Sequence, residues 1–364
     1  MRGRPPRPME NKEARRAAPS HLARLRERAS LKNLPFVATW ECTWRCNLRC
    51  VHCYLPAKGN APPRELATGE ARTLLAALAE AGFLVLAVTG GEPFERPDLL
   101  DLLAEARRLA FAVRLLTNAT RIGAREADRL AGLGLLCVDV SLYGSPSAEG
   151  RAAHDAITRV PGSHAATVRA LRLLAERGVR LTVKMPLFER NADEVHAVRR
   201  FAEAHGASFV FDPTLFCRDD GDPAPRALRA PDAQVAEILA SFGAKNGGTN
   251  LVEGKPVCNA GRNALAVGPD GTAHACVAIR EPLGRLPGDD FEKIWRHPFL
   301  ERLRAVRLSD LAACRTCEWR SVCVRCPGLA LREDGDLLGC SSSACRMAVI
   351  TARLARGADE GTKA

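Results

Sequence analysis

The sequence predicts an α/β fold, in which an open, partial (βα)6 barrel precedes a smaller, cysteine-rich C-terminal domain. Short apolar runs alternate with helical patterns from residue 34 to residue 212, as in βαβ units that build a parallel sheet. Six such units are too few for a closed barrel of eight. The 364-residue length allows one large domain and one smaller domain.

Each element has a local signal. The run at residues 83–88 is continuously apolar, as expected for a strand buried on both faces. A capping-box pattern at residues 68–71 opens the first barrel helix. The predicted strands are 36–40, 83–88, 112–117, 135–142, 179–185 and 207–212. The predicted helices are 68–81, 97–110, 122–132, 163–177 and 192–205, with a short amphipathic helix near 18–33.

Composition changes divide the chain. We expect a basic N-terminal arm (1–33, disordered to about residue 17), a barrel domain (34–216) and a polar connector (217–257). A cysteine-rich domain (258–350) and a C-terminal tail (351–364) follow.

The net charge of +11 raises the question of a nucleic-acid partner. Ten Lys/Arg against three Asp/Glu in residues 1–33 account for +7 of that excess. A solvated arm is the favoured interpretation, an acidic peptide partner is also compatible, and the low aromatic content leaves little for base stacking. Neither an 18-residue apolar run nor a secretory signal is present, so we expect a cytoplasmic protein. Fourteen cysteines in such a protein indicate metal ligation, not disulfides.

Three cysteines lie in eight residues directly after the first strand. Cys46, Cys50 and Cys53 have the spacing C-x3-C-x2-C, and Tyr54 follows. Three thiolates can hold three irons of a cubane cluster and leave the fourth iron open for a ligand. Tyr54 would form a wall of that site. A zinc site or disulfides are the alternatives.

A second motif, Thr-Gly-Gly-Glu-Pro, ends the second strand. Gly90 and Gly91 allow close approach of the backbone to a ligand, and Glu92 can accept a hydrogen bond from an ammonium group. The alternative is a simple strand-to-helix turn.

Together, the two motifs on a (βα)6 pattern resemble the radical S-adenosylmethionine (SAM) superfamily. The resemblance implies a [4Fe–4S] cluster on the three cysteines whose open iron is chelated by SAM, and a Gly-Gly-Glu motif that holds the methionine amino group. Ser141, in the sequence Val-Asp-Val-Ser-Leu-Tyr-Gly, matches a serine that contacts the cofactor's ribose. Residues 154–163 resemble the loop after strand four, and Arg159 is a candidate cofactor contact there. The family commonly has an arginine and a glycine where this chain has Thr158 and Arg159. Lys184, at the end of strand five, is a weaker candidate for a cofactor contact, with a solvent-facing lysine as the alternative.

Eight further cysteines lie between residues 258 and 345, and their spacing resembles the SPASM extension of radical SAM enzymes. The resemblance implies one or two auxiliary [4Fe–4S] clusters, with a pair of zinc sites as the alternative. One cluster would use Cys258, Cys276 and Cys326, and Cys340 would either complete it or be a bystander. The other cluster would use Cys314, Cys317, Cys323 and Cys345. The run has two residues between Cys323 and Cys326 where the family usually has three.

The remaining cysteines have no motif. Cys42 and Cys137 are expected to be structural thiols. Cys217 follows the sixth strand and can be proposed as a hydrogen-atom donor to a substrate radical, with an inert thiol as the favoured alternative. Asp212, at the end of the same strand, is a candidate base.

The resemblance implies reductive cleavage of SAM to a 5′-deoxyadenosyl radical that abstracts a substrate hydrogen. Family members with a SPASM extension often modify peptides, so a ribosomally made peptide is the first substrate hypothesis. The 33-residue arm is too short for a winged-helix leader-recognition domain, so we expect a separate leader-recognition protein, besides an electron donor such as flavodoxin or ferredoxin. The alternatives are oxidative decarboxylation in tetrapyrrole synthesis and, from another class, an electron carrier without radical chemistry.

Overall fold

The computed structural model describes residues 21–56, 64–243 and 251–360, the last five of these without their side chains. The predicted disorder of residues 1–17, part of the predicted connector and the end of the tail lie outside the described residues. The predicted short N-terminal helix is present as α1 (His21–Lys32).

Six parallel strands form the barrel sheet, and each lies within a few residues of its predicted position. They are β1 (Val37–Thr43), β2 (Val85–Gly90), β3 (Ala112–Thr117), β4 (Cys137–Ser141), β5 (Leu181–Pro186) and β6 (Ser208–Asp212). The order β6-β5-β4-β3-β2-β1 follows the chain, as expected for successive right-handed βαβ units. The sheet is an open partial barrel with its carboxyl ends at one mouth.

The barrel helices are α2 (Thr68–Glu80), α3 (Leu99–Arg108), α4 (Ala124–Leu133), α5 (Ala148–Thr158), α6 (Ser163–Glu176), α7 (Val195–Ala204) and α8 (Asp232–Ser241). They cover one face of the sheet. On β4, for example, Val138 and Val140 are fully buried in the same core as Leu171 and Leu174 of α6. The alternate residues of each strand, such as Asp139 and Ser141, therefore face the barrel interior.

Among the barrel helices, two are not predicted by the sequence analysis, α5 and α8. α5 overlaps the segment 154–163 that resembles a loop, and it is not predicted because Gly150 near its start has low helix propensity. Glycine is required there, since a Cβ would lie within 2.5 Å of Ser145 and the Glu194 carboxylate. α8 lies inside the predicted connector and packs the ring of Phe242 against Phe211 of β6, with 4.8 Å between ring centroids.

The C-terminal region begins by extending the barrel sheet. β7 (Ala264–Val267) pairs in parallel with β1, and β8 (Thr272–His274) and β9 (Gly284–Arg285) continue antiparallel. The remaining helices are α9 (Phe291–Trp295), α10 (Pro298–Ala305), α11 (Pro327–Asp334) and α12 (Ser342–Glu360). β7 thus belongs to the main sheet and α12 runs through residue 350, and the predicted domain boundaries at 257/258 and 350/351 stay predictions.

Within the described residues, no helix combines the length and the apolar character that a membrane crossing needs.

Candidate active site

The cysteine loop, residues 44–54, follows β1 at the carboxyl mouth of the barrel, and its backbone is fixed at both ends. Near its start, Gly91 N donates to Thr43 O and Glu92 N to Arg45 O, both at 2.8 Å. Further along, Arg49 N and Val51 N donate to the last carbonyls of α5 at 3.0 Å. These hydrogen bonds from the barrel scaffold fix the path of the loop at both ends.

The two motif glycines explain the first of these anchors. A Cβ on Gly90 would lie 2.0 Å from Thr43 O, and a Cβ on Gly91 would lie 2.3 Å from Arg45 O. Gly90 also has φ of +131°, which side-chain-bearing residues rarely adopt. Both glycines thus allow close approach to the end of β1 and the start of the cysteine loop, and their predicted approach to a ligand stays a prediction.

The three thiols of the loop are close enough to influence one another. Burial raises the pKa of Cys46 to about 11 and of Cys50 to about 12, and it raises that of Cys53. Negative charge on Cys46 and Cys53 raises the pKa of Cys50 further. In the described chain no three His, Cys, Asp or Glu side chains converge as ligands of a single metal ion. In a cubane each thiolate binds a different iron, and this clustered set of soft donors fits that group.

Glu92 is completely buried, and both carboxylate oxygens are used by the protein. Oε1 accepts from Thr117 Oγ1 at 2.6 Å and Phe94 N at 3.1 Å, and Oε2 accepts from Asn118 N at 2.7 Å. Burial nevertheless raises its pKa to about 7. Glu92 therefore ties the end of β2 to the end of β3, and its expected contact with the cofactor's amino group stays a prediction.

Asn118, which the sequence analysis missed, lies between Glu92 and the thiols of the cysteine loop. Its Nδ2 donates to Asn47 Oδ1 at 3.0 Å and lies 4.0 Å from Cys46 Sγ. Its Oδ1 accepts from Thr120 N at 2.9 Å. The signal that could have identified it is its place directly after a strand at the carboxyl mouth.

Tyr54 faces the C-terminal region. Its hydroxyl donates to the fully buried Glu41 of β1 at 2.5 Å, and the Arg280 guanidinium lies 6.0 Å from its ring centroid. Arg280 also pairs with Glu41 at 2.5 Å and with Asp219 at 2.8 Å. Asp219 in turn pairs with Arg332 at 2.6 Å. A continuous ionic network thus joins the cysteine loop to the C-terminal region.

The residues after β6 also hold the loop. Arg218 donates to Cys53 O at 2.8 Å and to Val51 O at 3.2 Å, and Asp219 N donates to Tyr54 O at 2.8 Å. The neighbouring Cys217 is 3% exposed and lies close to Arg229. No local signal in the sequence marks Arg218, because its acceptors are 165 and 167 positions away.

Ser141 and Lys184 are paired neighbours on β4 and β5 and face the barrel interior. Lys184 Nζ lies 3.2 Å from the fully buried carboxylate of Asp139, which also accepts two 2.9 Å hydrogen bonds from Arg114. Two cations therefore share one carboxylate, and the cluster keeps a net charge of +1. The Lys184 side chain is 36% exposed, so it is only partly accessible to solvent.

Of the remaining single residues, Asp212 and Arg159 are exposed, whereas Cys42 and Cys137 are buried. Asp212 is exposed at the end of β6 and accepts from Thr214 N at 2.8 Å. Arg159 is exposed and ends α5 with a left-handed φ of +56°. Cys42 is completely buried in the main core, and Cys137 is buried with its Sγ 3.1 Å from Thr182 Oγ1.

The eight C-terminal cysteines form two thiol groups. In the first thiol group, burial and then the neighbouring Cys258 and Cys326 raise the pKa of Cys276, to about 12. The second thiol group consists of Cys314, Cys317, Cys323, Cys340 and Cys345. Cys340 lies beside Cys314 and Cys345 of the second thiol group, and its two expected roles, completion of the first cluster or that of a bystander, stay predictions. The groups therefore have three and five members.

A cavity of about 850 Å³ opens at the opposite, amino end of the strands, between α1, β1 and β2. Its lining includes Arg26, Val85 and Arg114, and none of the cysteines. The cysteine loop and the Gly-Gly-Glu segment thus lie at the other mouth of the barrel.

Comparison with known proteins agrees with this geometry. Residues 40–202 match the profile of the radical SAM superfamily, and residues 258–318 match the SPASM iron–sulfur cluster-binding domain. Mycofactocin maturase MftC of Mycobacterium tuberculosis is 30% identical over 303 residues, which cover 78% of this chain and 75% of MftC. The AdoMet-dependent heme synthase of Methanosarcina barkeri is 25% identical over 344 residues, which cover 85% of this chain and 96% of the synthase.

Two solved structures share the fold. Streptococcus suis SuiB bound to the precursor peptide SuiA superposes with a TM-score of 0.68 at 15% identity, covering 89% of this chain and 79% of SuiB. The structure of anSMEcpe with bound AdoMet superposes with a TM-score of 0.65 at 15% identity, covering 90% of this chain and 96% of anSMEcpe.

The radical SAM domain binds a [4Fe–4S] cluster and SAM, and the SPASM domain binds auxiliary iron–sulfur clusters. The protein is therefore an enzyme, and an electron carrier without radical chemistry is not supported. The chain belongs to the radical SAM superfamily and carries a C-terminal SPASM domain.

Proposed function

We propose that this radical SAM/SPASM enzyme modifies a ribosomally made peptide by hydrogen abstraction. The observation that carries the proposal is the open side of the barrel at β6. This strand ends the sheet, and its interior-facing residues Ser208, Val210 and Asp212 are exposed, Val210 by 49%. An extended chain can lie along such an edge and bring a side chain to the mouth of the barrel. The relationship to MftC and the fold shared with peptide-bound SuiB support the same class of substrate.

The residues of the chain take the following parts in this proposal. Cys46, Cys50 and Cys53 would hold the cluster, and Ser141 would contact the nucleoside. Gly90, Gly91 and Glu92 would form the wall near the methionine, and Tyr54 would close the site toward the SPASM domain. The bound cluster supplies the electron for reductive cleavage of SAM. The auxiliary clusters would use the two thiol groups.

Residues near β6 lie where the substrate would enter. Asp212 is exposed and can accept a proton from a substrate group, so its role as a base stays a proposal. Cys217 is 3% exposed, and as a hydrogen-atom donor it would need an opening of the segment after β6. A separate leader-recognition protein and a flavodoxin or ferredoxin would complete the system.

A second candidate function is oxidative decarboxylation of a tetrapyrrole. The observation in its favour is the Arg114–Asp139–Lys184 cluster, whose excess positive charge in the barrel interior suits the carboxylates of an anionic substrate. The similarity to the AdoMet-dependent heme synthase supports it as well.

Deuterium transfer can separate the two candidates. The reconstituted enzyme would be incubated with SAM, reductant and either of two perdeuterated extracts, a peptide fraction or a tetrapyrrole fraction. We expect deuterium in 5′-deoxyadenosine with the peptide fraction, because the abstracted hydrogen ends in that product. A Cys46→Ala/Cys50→Ala/Cys53→Ala variant is the control and should form no 5′-deoxyadenosine. Deuterium transfer from the tetrapyrrole fraction alone would overturn the peptide proposal.

A further inference from the structure

A pocket of about 450 Å³ lies at the surface between α5 and α6. Its lining includes three exposed arginines, Arg151 of α5 and Arg169 and Arg172 of α6. Within the described chain none of these guanidinium groups has an ion pair or a side-chain hydrogen bond, and Glu176 is the one carboxylate of the lining. The pocket therefore presents unpaired positive charge to the solvent, and an anionic surface would be its complement.

The ring of His164, which is 2% exposed, lies at the floor of this pocket and begins a row of four rings. Its centroid lies 5.3 Å from that of His154, and the His154 centroid lies 5.2 Å from that of Tyr143. The Tyr143 centroid is in turn 5.2 Å from that of His52, and the Tyr143 hydroxyl lies 3.4 Å from His52 Nε2. Because His52 belongs to the cysteine loop, the row of rings connects the pocket with that loop.

The row of rings is buried and closely packed. Tyr143 is 5% exposed and His154 is 1% exposed, and the Phe188 ring packs edge-on against His52 at 4.8 Å between centroids. One ring nitrogen of each of the three histidines has no hydrogen-bond partner in the described part of the chain, so hydrogen bonding alone does not account for these rings. Electron tunnelling weakens steeply with distance and is faster through packed atoms than across a gap. The row is therefore a suitable path for an electron between the surface and the cysteine loop.

We propose that the pocket between α5 and α6 is the docking surface of an acidic electron-transfer protein, and that the row of rings is the route by which its electron reaches the cluster on the cysteine loop. In this step the docked protein loses one electron and the cluster gains it, and no bond is made or broken. The inference rests on the proposed electron-donor protein. It does not depend on whether the substrate is a peptide or a tetrapyrrole.

The charge and the place of the pocket suit such a partner. Electron-transfer complexes have small interfaces, and charge complementarity raises the rate at which the partners meet. Arginines without a carboxylate partner provide that charge, because their interaction with an acidic protein does not first require an existing ion pair to break. The edge of β6 proposed for the substrate faces the barrel interior, so the donor and a peptide would occupy different surfaces.

The first test measures the binding of an oxidised flavodoxin, used as the acidic protein, to the reconstituted enzyme by isothermal titration calorimetry. The dissociation constant should rise with salt concentration, because exposed charges attract one another less when they are screened. Arg169→Glu/Arg172→Glu should weaken binding by at least about tenfold. Arg72→Glu/Arg125→Glu is the matched control, since it makes the same change in net charge at exposed arginines of α2 and α4, and it should bind nearly as the wild type does.

The rate of cluster reduction is the second readout, measured by freeze-quench electron paramagnetic resonance of the cluster whose spectrum changes when SAM is added. Reduced flavodoxin should act at least about tenfold more slowly on Arg169→Glu/Arg172→Glu than on the wild type. Photoreduced deazaflavin, a small reductant without net charge, should reduce both at the same rate. Equal flavodoxin binding and reduction in the two double variants would overturn the proposal. Binding of inorganic phosphate but not of flavodoxin to the wild type would assign the pocket to a small anion, and would overturn it as well.

Two variants of His164 test the route separately from the docking. His164→Ala opens a gap at the start of the row of rings, whereas His164→Phe keeps a ring there. With saturating flavodoxin we expect several-fold slower cluster reduction in His164→Ala and a rate near that of the wild type in His164→Phe, with iron content and flavodoxin binding unchanged in both. Equal rates in the wild type and both variants would overturn the route through the rings. The deuterium-transfer experiment needs no protein donor, so failure of the peptide proposal is distinguishable from these results.

Discussion

The two cysteine-bearing regions of the molecule differ in what holds their ligands in place. The cysteine loop is anchored by backbone hydrogen bonds to the end of α5 and the Gly-Gly-Glu segment, and by Arg218. It also stands on the large core between the barrel sheet and its helices. In the second thiol group Cys345 lies in α12, and the other members lie in turns and beside short 3-10 helices, over a small core in which Leu311 is fully buried.

Cysteine ligands are therefore positioned in two different ways within one chain. Around the cysteine loop, folding of the barrel already fixes the backbone, so binding the cluster needs little further ordering. In the second thiol group few apolar contacts are available, so cluster binding must supply much of the folding free energy, as in small metal-dependent domains. Four predictions put this contrast to the test.

The largest expected effect is on the C-terminal region. Replacing Cys314, Cys317 and Cys323 with serine should raise amide exchange of residues 306–345 by at least about a thousandfold, because local folding there depends on the cluster. Hydrogen exchange with mass spectrometry measures this. The Cys46→Ala/Cys50→Ala/Cys53→Ala variant should keep its barrel amides protected. Equal loss of protection in both regions would contradict the proposed difference.

The second largest effect concerns the Arg280–Glu41 ion pair, which links the barrel to the C-terminal region. Arg280→Gln leaves the fully buried Glu41 without its cation and should lower the free energy of unfolding by about 3–5 kcal/mol. Arg285→Gln is the control, because Arg285 is 60% exposed and pairs with Asp270 at the surface, so a change of about 0–1 kcal/mol is expected. Urea unfolding of the metal-free proteins compares the two. Equal losses of unfolding free energy in the two variants would show that the Arg280 network does not stabilise the contact between the two regions.

The protonation of Glu92 should make the free energy of unfolding depend on pH, by up to about 3 kcal/mol. Its folded-state pKa is about 7, raised from 4.5 by burial, so the folded state binds the proton more tightly. Stability should therefore fall as pH rises from about 4.5 to 7, and Glu92→Gln should not share this fall. Urea unfolding of metal-free protein at pH 5.5 and 8 tests the sign, with Glu80→Gln on the exposed end of α2 as the control. We would reject the assignment if the stability of the wild type, measured relative to that of Glu92→Gln, were higher at pH 8 than at pH 5.5.

The smallest effect concerns the unequal thiol groups. Cys340→Ala leaves four thiols in the second thiol group, so no iron should be lost on reconstitution. Cys276→Ala leaves two thiols in the first thiol group and should lose about four irons. Iron and sulfide counts per chain measure both. A loss of about four irons in Cys340→Ala would mean that Cys340 is an essential ligand.

The sequence predicted the strands of the barrel and both cysteine patterns, because each has a local signature. It missed α5 and α8, since one contains the glycine that closes onto Ser145 and the other follows a turn-rich polar stretch. It also missed Glu41, Arg218 and Arg280, which act only through partners far along the chain. Long-range pairing of charges leaves no periodicity or spacing in the sequence, so those roles emerge only in three dimensions.

The pairing of β7 with β1 matters for engineering and for evolution. Phe36 N and Val37 N both donate to Asn263 O, and the strand that leads into the cysteine loop has β7 as its neighbour. A chain truncated at residue 257 would leave β1 as a bare edge, open to pairing with other chains. The C-terminal domain therefore cannot be exchanged between relatives as an independent unit. Any replacement domain would have to supply a strand that pairs with β1.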